Sequence, residues 1–421
     1  MMGRVQPMGR SAVLGVGVAA LVVPITTVVS HSFSRATYPL LLPAIKDDLL
    51  GSNTRAGAGG TLIYLAYLIG VALVTTASGR LEPIQIMRAG LVTSMTGLGL
   101  LGFATNQPML AAGLLLSSMG GAGIWITAPG LATAEVPPER RGTVIGLCTA
   151  SVGFGTSMVA LGTRLARSAT GDDQLWRPIF GIEALATAAI LTLIVAAVRP
   201  ARTPGLGGGF SLRALRRVPS WRRVTIAYVL FGGVAAGYSS FLAEALEEDG
   251  GLSRSAVGLV YIGMGFSSLL GAPAVGWLSD RRGRRAAFLT VVAGLCVGSF
   301  VIALGSGLLV AGAALLLGGM WSSYPTLTAT YVRDHLDARE FGSAFGAMTV
   351  FYGLFAIFPP LFAGVIADRL GGFRVPYVAI GALCLACGAV LWSLPAETRP
   401  GLATAAGSGP AASTEPGALR R

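Results

Sequence analysis

Charge is the property that this sequence has least of. Only 12% of its 421 residues are charged, whereas 53% are hydrophobic and the mean hydropathy is +0.69. A soluble domain carries about 25% charged residues, because its surface must be hydrated. The composition therefore excludes a soluble globular protein of this length and favours a chain that lies in a membrane.

Reactive side chains are also few. The four cysteines, Cys148, Cys296, Cys384 and Cys387, lie in apolar stretches, and the C-x-x-C spacing of the last two has no second pair and no histidine nearby. We interpret them as buried small apolar residues and expect no disulfide and no metal. No nucleophile set or phosphate-binding loop is recognisable, so we expect no cofactor and no enzymatic activity.

Lysine is almost absent, since Lys46 is the only one and arginine supplies the rest of the basic residues behind the net charge of +12. These basic residues lie beside the ends of apolar runs, where they orient the helices of a membrane protein. The positive net charge therefore does not indicate a nucleic-acid-binding surface. Their distribution predicts a multi-pass protein of the cell (inner) membrane with both termini in the cytoplasm. Arg4 and Arg10 precede an apolar run without a small-residue cleavage site, so we expect a retained first helix.

Apolar runs are what the sequence has in abundance. About 20 apolar residues cross the 30 Å or so of a bilayer core, and runs of this length recur along the chain with short polar breaks. They predict twelve transmembrane helices, at approximately 13–43, 56–78, 89–104, 109–134, 143–165, 178–198, 224–246, 256–278, 286–304, 308–331, 343–367 and 376–394.

A Pro/Gly/Arg-rich stretch divides the chain between the sixth and seventh runs. We expect an N-terminal bundle at 1–198, a cytoplasmic linker with a short basic helix at 199–223, a C-terminal bundle at 224–395 and a disordered cytoplasmic tail at 396–421. An acid, an arginine and a G-x-x-x-G follow both the fourth run and the tenth run, and the two copies are about 200 positions apart. The loops after the second and eighth runs begin with similar tripeptides, at 79–81 and 276–278, with nearly the same separation. The repeat predicts an all-α membrane protein built from two pseudo-symmetric six-helix bundles.

Residues 276–285 read Gly-Trp-Leu-Ser-Asp-Arg-Arg-Gly-Arg-Arg and resemble the cytoplasmic G-x-L-x-D-R-x-G-R-R/K signature of the major facilitator superfamily. The resemblance covers roughly residues 10–395 and implies alternating access to one central site between the halves. The loop after the second helix lacks the Asp-Arg core of this signature. The fifth helix lacks the G-P-x-x-G-G pattern of drug/proton antiporters, which weakens a drug-efflux assignment.

The signature residues that we expect to form a gate are Gly276, Asp280, Arg281, Gly283 and Arg284. Asp280 ends the eighth helix, where it can bind the positive N-terminus of a neighbouring helix or its own arginines, as a latch that one conformation keeps and the other breaks. The alternative is a solvated charge run that only sets topology.

Arg35 interrupts the first apolar run. A guanidinium stays charged and is costly in hydrocarbon, so it should face a polar interior and hold an anion. At 1.5 Å per residue it lies roughly 17 Å from Lys46, near the midplane where facilitators bind substrate. Because His31 and Tyr38 share its helix face at i, i+4, i+7 spacing, we group all three in a substrate site. The alternative is a structural cation that snorkels or pairs with a fixed acid.

Two titratable groups are candidates for proton coupling. His31 either carries a proton or contacts substrate, or is an ordinary core residue. Glu183 in the sixth helix either carries a proton or forms a structural ion pair with Arg177. The acids at the outer end of the seventh helix are expected to form a solvated rim, namely Glu244, Glu247, Glu248 and Asp249.

Aromatic residues lie near the middle of several predicted helices, where most serve packing. Tyr67, Tyr238 and Trp321 are our candidates for stacking on a planar or apolar part of a substrate.

We therefore expect a secondary active transporter that moves a small organic solute, with a carboxylate or similar anionic group, by proton-coupled alternating access, as a monomer in the bilayer. The alternative is a drug or antibiotic exporter of the same superfamily, and the two are discriminated by whether Arg35 faces the central cavity or pairs with a fixed acid. A non-transporting sensor or scaffold would need a signalling domain, which neither the linker nor the tail can supply.

Overall fold

The computed structural model describes residues 10–78, 80–134, 136–172, 174–198 and 211–395, without the side chains of 10–18, 138–143 and 338–339. These ranges are helical and contain no strand. The predicted tail and residues 199–210 of the predicted linker lie outside them.

Six helices form the first half: α1 (Arg10–Thr27, continued by Val28–Ala36, Thr37–Ile45 and Lys46–Leu50), α2 (Asn53–Ala77), α3 (Pro83–Gly102), α4 (Gln107–Thr133), α5 (Pro138–Thr170) and α6 (Trp176–Ala197). A short linker helix at Leu212–Leu215 precedes the second half. That half contains α7 (Trp221–Ser240, Leu242–Glu244 and Ala245–Asp249), α8 (Arg254–Arg282), α9 (Arg284–Leu304), α10 (Leu308–Trp321 and Ser323–Arg333), α11 (Ala338–Ala356 and Phe358–Leu370) and α12 (Arg374–Trp392).

The apolar runs become helices because a backbone in hydrocarbon must satisfy its own polar groups. Polar residues in the loops mark where these helices begin. The side chains of Ser52, Asn106 and Ser253 accept hydrogen bonds from the first-turn amides of α2, α4 and α8. In the described ranges ten helices are long and apolar enough to cross a bilayer, and α7, bent by 54°, makes an eleventh. With α1 they confirm the predicted twelve-helix architecture, although α1 continues beyond the predicted residue 43 to Leu50.

Each half packs mainly on itself. In the first half α4 packs against α2 and α3, and α3 against α6; in the second, α12 packs against α7 and α9, and α8 against α10. Two extensive contacts cross between the halves, α2 with α11 and α5 with α8. Small residues allow this approach, since a Cβ on Gly57 of α2 would collide with the carbonyl group of Pro360 in α11.

Ion pairs join the halves at one end of the molecule, which we call the closed end. Lys46 of α1 contacts Glu244 and Glu248 of α7, each at 2.5 Å, and Asp47 accepts a bond from Arg254 of α8 at 2.6 Å. The Asp368 carboxylate of α11 accepts hydrogen bonds from the first amides of α2. Between described residues, every hydrogen bond or ion pair that crosses the halves lies on the closed-end side of the molecule, no further along α2 than Tyr64.

The expectation of a solvated acidic rim on α7 is wrong for its most buried member. Glu244 is only 1% exposed and is paired with Lys46. The reason is the bend after Ser240, which redirects the last turns of α7 towards α1. Asp249 is also engaged, because its carboxylate accepts a hydrogen bond from the Phe373 amide at 2.6 Å.

The linker helix is attached to the second half. The Ser211 amide donates to the Ser343 carbonyl at 3.2 Å, and Arg217 pairs with Glu340 at 2.5 Å. Both partners lie at the start of α11, so this end of the linker is held against the C-terminal bundle.

Candidate functional site

A cavity of about 780 Å³ lies between the two halves. Its walls come from α1, α2 and α5 on one side and from α7, α8 and α10 on the other. A site shared by two bundles changes shape whenever one bundle moves against the other, which is the property that alternating access needs.

The first wall depends on a widened segment of α1. Val28–Ala36 is a π-helix, in which the Thr37 amide bonds the Ser32 carbonyl five residues before it. Serine side chains dock this segment on its neighbours: the Ser32 hydroxyl donates to the Val152 carbonyl of α5 at 2.9 Å, and Ser118 of α4 donates to the Ser34 carbonyl. These bonds fix the rotation of α1 and direct His31 and Arg35 into the cavity.

Among the described residues that line the cavity, Arg35 is the only charged one. Its guanidinium lies over two aromatic rings of α2, 4.9 Å from the centroid of Tyr64 and 4.6 Å from that of Tyr67. No ion pair joins Arg35 to any carboxylate among the residues that the structure describes. Stacking on aromatic faces stabilises the cation while leaving the edge of its donor fork suited to a bidentate anion.

His31 lines the cavity one turn from Arg35. Its Nδ1 lies 2.9 Å from the Ser30 hydroxyl, which itself donates to the Thr27 carbonyl. In this contact either the ring nitrogen or the hydroxyl is the donor, depending on the tautomer of the imidazole. The ring packs against Trp125 at a centroid distance of 4.2 Å.

The opposite wall is aromatic and apolar. It contains Tyr238, Tyr261, Met264 and Trp321, and the Tyr238 hydroxyl points at the Met264 sulfur at 3.8 Å. Tyr64 connects the two walls, since its hydroxyl lies 3.1 Å from that of Ser239 in α7. The cavity thus has a cation on one side and flat apolar surfaces on the other.

Four of the six predicted substrate residues line the cavity: Arg35, His31, Tyr238 and Trp321. Tyr67 lies behind Arg35 as a stacking partner. The sequence grouped Tyr38 with them, but the structure buries it at 1% exposure with its hydroxyl bonded to the Ala56 carbonyl. The physical reason is the π-helix, which has more residues per turn than the α-helix that the i+7 spacing assumes. The residues after Arg35 that line the cavity are therefore Ala36 and Pro39 instead of Tyr38.

Sequence reasoning missed several lining residues, notably Tyr64, Tyr261, Met264 and Thr156. Tyr64 precedes Tyr67 by three residues on α2, so the i, i+3 pair itself was a signal for two rings on one face. Met264 and Thr156 carry no comparable signal, because apolar and hydroxyl residues recur throughout such helices.

Glu183 lies outside the cavity, between α6 and α1. It is 3% exposed, and Oε1 accepts a hydrogen bond from the Thr37 hydroxyl at 2.5 Å while Oε2 has no partner within the described residues. The alternative of an ion pair with Arg177 is wrong, because that guanidinium instead pairs with Asp48 of α1 at 2.7 Å. Asp48 sits at the same end of the bundle as Arg177, where the start of α6 meets the end of α1.

The predicted gating residues lie at the end opposite the closed end. Asp280 accepts from Arg284 at 3.1 Å, and Arg284 also binds Asp334 at the end of α10 at 3.0 Å. Arg281 stacks on Trp277, while Gly283, at φ +87°, makes the turn between α8 and α9 that a residue with a Cβ would strain. Gly276 has open space beside it. Among the described side chains, the pairs Asp280–Arg284 and Arg284–Asp334 join α8, α9 and α10 of the second half.

No group of three or more His, Cys, Asp or Glu side chains that could hold a metal occurs in the described part of the chain. The four thiols remain free cysteines, three of them buried.

The family described as Major Facilitator Superfamily matches residues 25–243 and 224–421. Among curated proteins, the chain is similar to the probable nitrate/nitrite transporter NarK2 of Mycobacterium tuberculosis, with 29% identity over 251 residues, which is 55% of this chain and 58% of that protein. It is also similar to a chloramphenicol resistance protein of Streptomyces lividans, with 27% identity over 58% of this chain and 62% of that protein. The chain thus spans less than two thirds of the length of these relatives.

Among solved structures, the nucleoside transporter NupG superposes with a TM-score of 0.71, covering 90% of this chain and 98% of NupG at 11% identity. A single-residue mutant of NupG gives a TM-score of 0.70 at 13% identity, over 89% of this chain and 99% of that one. At such low identity the similarity establishes the fold alone.

Proposed function

The chain belongs to the major facilitator superfamily, and we propose that it moves a small organic anion across the cell membrane by alternating access, with Arg35 as the anion receptor. The observation that carries the proposal is the position of Arg35. It faces the cavity between the halves, stacked on Tyr64 and Tyr67, and no described carboxylate is paired with it. A permanent cation in a membrane interior needs an anionic partner, and a transported anion supplies it.

The shape and chemistry of the cavity favour an organic anion over a bare inorganic one. The wall opposite Arg35 offers Tyr238, Tyr261 and Trp321, which suit a planar or apolar body. A carboxylate bound to the Arg35 fork with its apolar part against these rings would use both walls.

Alternating access is supported by the hydrogen bonds and ion pairs that join the described parts of the two halves at the closed end. Rocking the halves apart at the closed end breaks the pairs of Lys46 and Arg254 and exposes the cavity to that side. Because arginines concentrate in the loops at the opposite end, we infer that the closed end faces the outside of the cell membrane and that both termini lie in the cytoplasm. The structure then corresponds to a conformation closed to the outside.

Proton coupling is the second element of the proposal, with His31 as its carrier. His31 lies one helical turn from Arg35 and lines the same cavity. A proton on His31 and an anion on Arg35 attract each other, so occupancy by one favours the other. Glu183 is the alternative carrier, and it would act on Arg35 through Thr37 and the π-helix of α1.

Substitution of Arg35 tests the proposal. The full-length protein in proteoliposomes is supplied with labelled aromatic carboxylates, short aliphatic carboxylates, nitrate or nitrite. We expect Arg35→Lys, which keeps the charge but not the bidentate fork, to weaken anion binding by about ten- to a hundredfold. Arg35→Ala should abolish uptake of anions without loss of expression, because the cost of a cation in the bilayer disappears.

Arg369→Ala is the matched control, since Arg369 is an exposed arginine at the closed end of α11 that does not line the cavity. It makes the same charge change and should transport as the parent does. Normal anion transport by Arg35→Ala would show that Arg35 is not the anion receptor.

Export of a drug or antibiotic is a second candidate. It is favoured by the similarity to a chloramphenicol resistance protein and by the largely apolar walls of the cavity. Under this alternative, neutral apolar compounds would be transported by the parent and by Arg35→Ala at similar rates, and cells that carry either form would resist the same compounds.

A further inference from the structure

A second pocket, of about 560 Å³, lies at the closed end between the last turns of α5 and the first turns of α8. It is separate from the central cavity, and the two share no lining residue. Its walls combine three arginines with three hydroxyl groups over a small apolar floor: Arg164, Arg167, Arg254, Thr163, Ser168, Ser255, Leu40, Ala160 and Gly258.

Thr163 shows that this pocket is built for a polar ligand. Its side chain is 2% exposed and lines the pocket, yet its hydroxyl has no hydrogen-bond partner within the described structure. A buried hydroxyl without a partner is unfavourable by the full cost of its lost hydration. A ligand that accepts a hydrogen bond from Thr163 would remove that cost.

The positive charges of the pocket come from both halves. Arg164 of α5 reaches α8, where its Nη1 donates to the Ser255 carbonyl at 2.8 Å and to the Ser255 hydroxyl. Arg254 of α8 uses Nε for Glu247 at 3.2 Å and Nη2 for Asp47 at 2.6 Å. These two ion pairs occupy only part of the donor fork of Arg254.

Positive side chains are concentrated at the pocket. Three guanidinium groups, those of Arg164, Arg167 and Arg254, line it, and the carboxylates of Asp47 and Glu247 are both paired with Arg254. The N-terminus of α8 adds the positive end of a 29-residue helix at the same place. Arginine forks, hydroxyl donors and a helix N-terminus are together the groups that proteins use for oxyanions.

We propose that this pocket binds a phosphate-type oxyanion, which bridges α5 and α8 and holds the closed end shut. The phosphate group can belong to a lipid headgroup, since the pocket lies near the bilayer surface, or to a free solute. When the closed end opens, Arg164 and Arg167 move apart from Arg254, so the anion binds the closed form more tightly and shifts the equilibrium towards it.

Binding is tested with the full-length protein in an Arg35→Ala background, so that the central cavity cannot supply an anion site. Labelled inorganic phosphate is titrated against protein in a neutral detergent, and nanodiscs with and without phosphatidylglycerol provide the lipid arm, with thermal unfolding as the second readout. We expect Arg164→Gln to weaken binding about tenfold or more and the near-isosteric Thr163→Val to weaken it several-fold. Arg369→Gln, an equal charge change elsewhere at the closed end, should bind as the parent does.

The pattern of binding identifies the source of the anion. Phosphate binding that depends on Arg164 indicates a free oxyanion, and stabilisation by phosphatidylglycerol alone, equally dependent on Arg164, indicates a lipid headgroup. If neither probe binds, or if Arg164→Gln and Thr163→Val bind as the parent does, the pocket is not an oxyanion site. Because Arg35 is already absent, this result leaves the proposed transport function untouched.

The effect on the closed end needs a separate measurement. A cysteine introduced at Ala36, which lines the central cavity, is labelled by a membrane-impermeant maleimide from the closed-end side. The bound anion should slow this labelling in the parent and not in Arg164→Gln. Labelling that is insensitive to the anion in both would show that the site does not hold the halves together.

Discussion

The ion pair between Lys46 and Glu244 should control whether the closed end stays shut. Its Nζ and Oε2 atoms are 2.5 Å apart, and the two side chains are 14% and 2% exposed. Lys46→Met leaves the Glu244 carboxylate buried without its cation, and removing one partner of a buried pair costs about 3–5 kcal/mol. Because Lys46 is partly exposed and also contacts the more exposed Glu248, we take the lower value.

A cost of about 3 kcal/mol that falls on the closed form alone shifts the equilibrium between closed and open forms by about a hundredfold. The same cysteine at Ala36 measures this shift, because only the open form exposes it to a membrane-impermeant maleimide from the closed-end side. We expect Lys46→Met to raise the labelling rate from that side strongly. The chain without a cysteine at Ala36 reports background labelling of the native thiols.

The double variant Lys46→Met/Glu244→Gln separates this mechanism from a general loss of packing. It removes both charges, so the buried carboxylate that drives opening is gone and closure should be largely restored. The reasoning is refuted if the single variant is labelled as slowly as the parent, or if the double variant stays as open as the single one.

Two further predictions concern coupling and the second gate. Replacing His31 or Glu183 by Gln should abolish accumulation driven by a pH gradient and spare solute exchange, which needs no net proton movement; parental accumulation by both variants would show that neither is the carrier. Asp280→Asn should lower the turnover per molecule, because Arg284 loses its ion pair with the Asp280 carboxylate, while membrane insertion stays normal; an unchanged transport rate in proteoliposomes would contradict a latch.

Burial of ionisable groups was the feature least accessible to sequence reasoning. Glu244 and Glu248 stand four positions apart in one acidic cluster, yet the first is 1% exposed and the second has 42% of its side chain exposed. The difference arises from the bend in α7 and from Lys46, almost two hundred positions away in the chain. No local sequence pattern encodes such a pairing. The ion pair of Arg177 with Asp48 is likewise formed by residues far apart in the chain.

Run length and the cost of charge in hydrocarbon are local properties, so the sequence was sufficient to predict the membrane class, the twelve helices, the two halves and an arginine inside the first apolar run that needs polar surroundings. Which face of each helix meets the cavity depends on packing between distant residues and was visible only in three dimensions. The π-helix of α1 rotated Tyr38 out of the site, and the meeting of α1 with α2 put Tyr64 and Tyr67 beneath Arg35. The second pocket, which Arg164, Arg167 and Arg254 line, likewise exists only because α5 of one half packs against α8 of the other. That packing depends on contacts between distant residues and not on the sequence pattern of either helix.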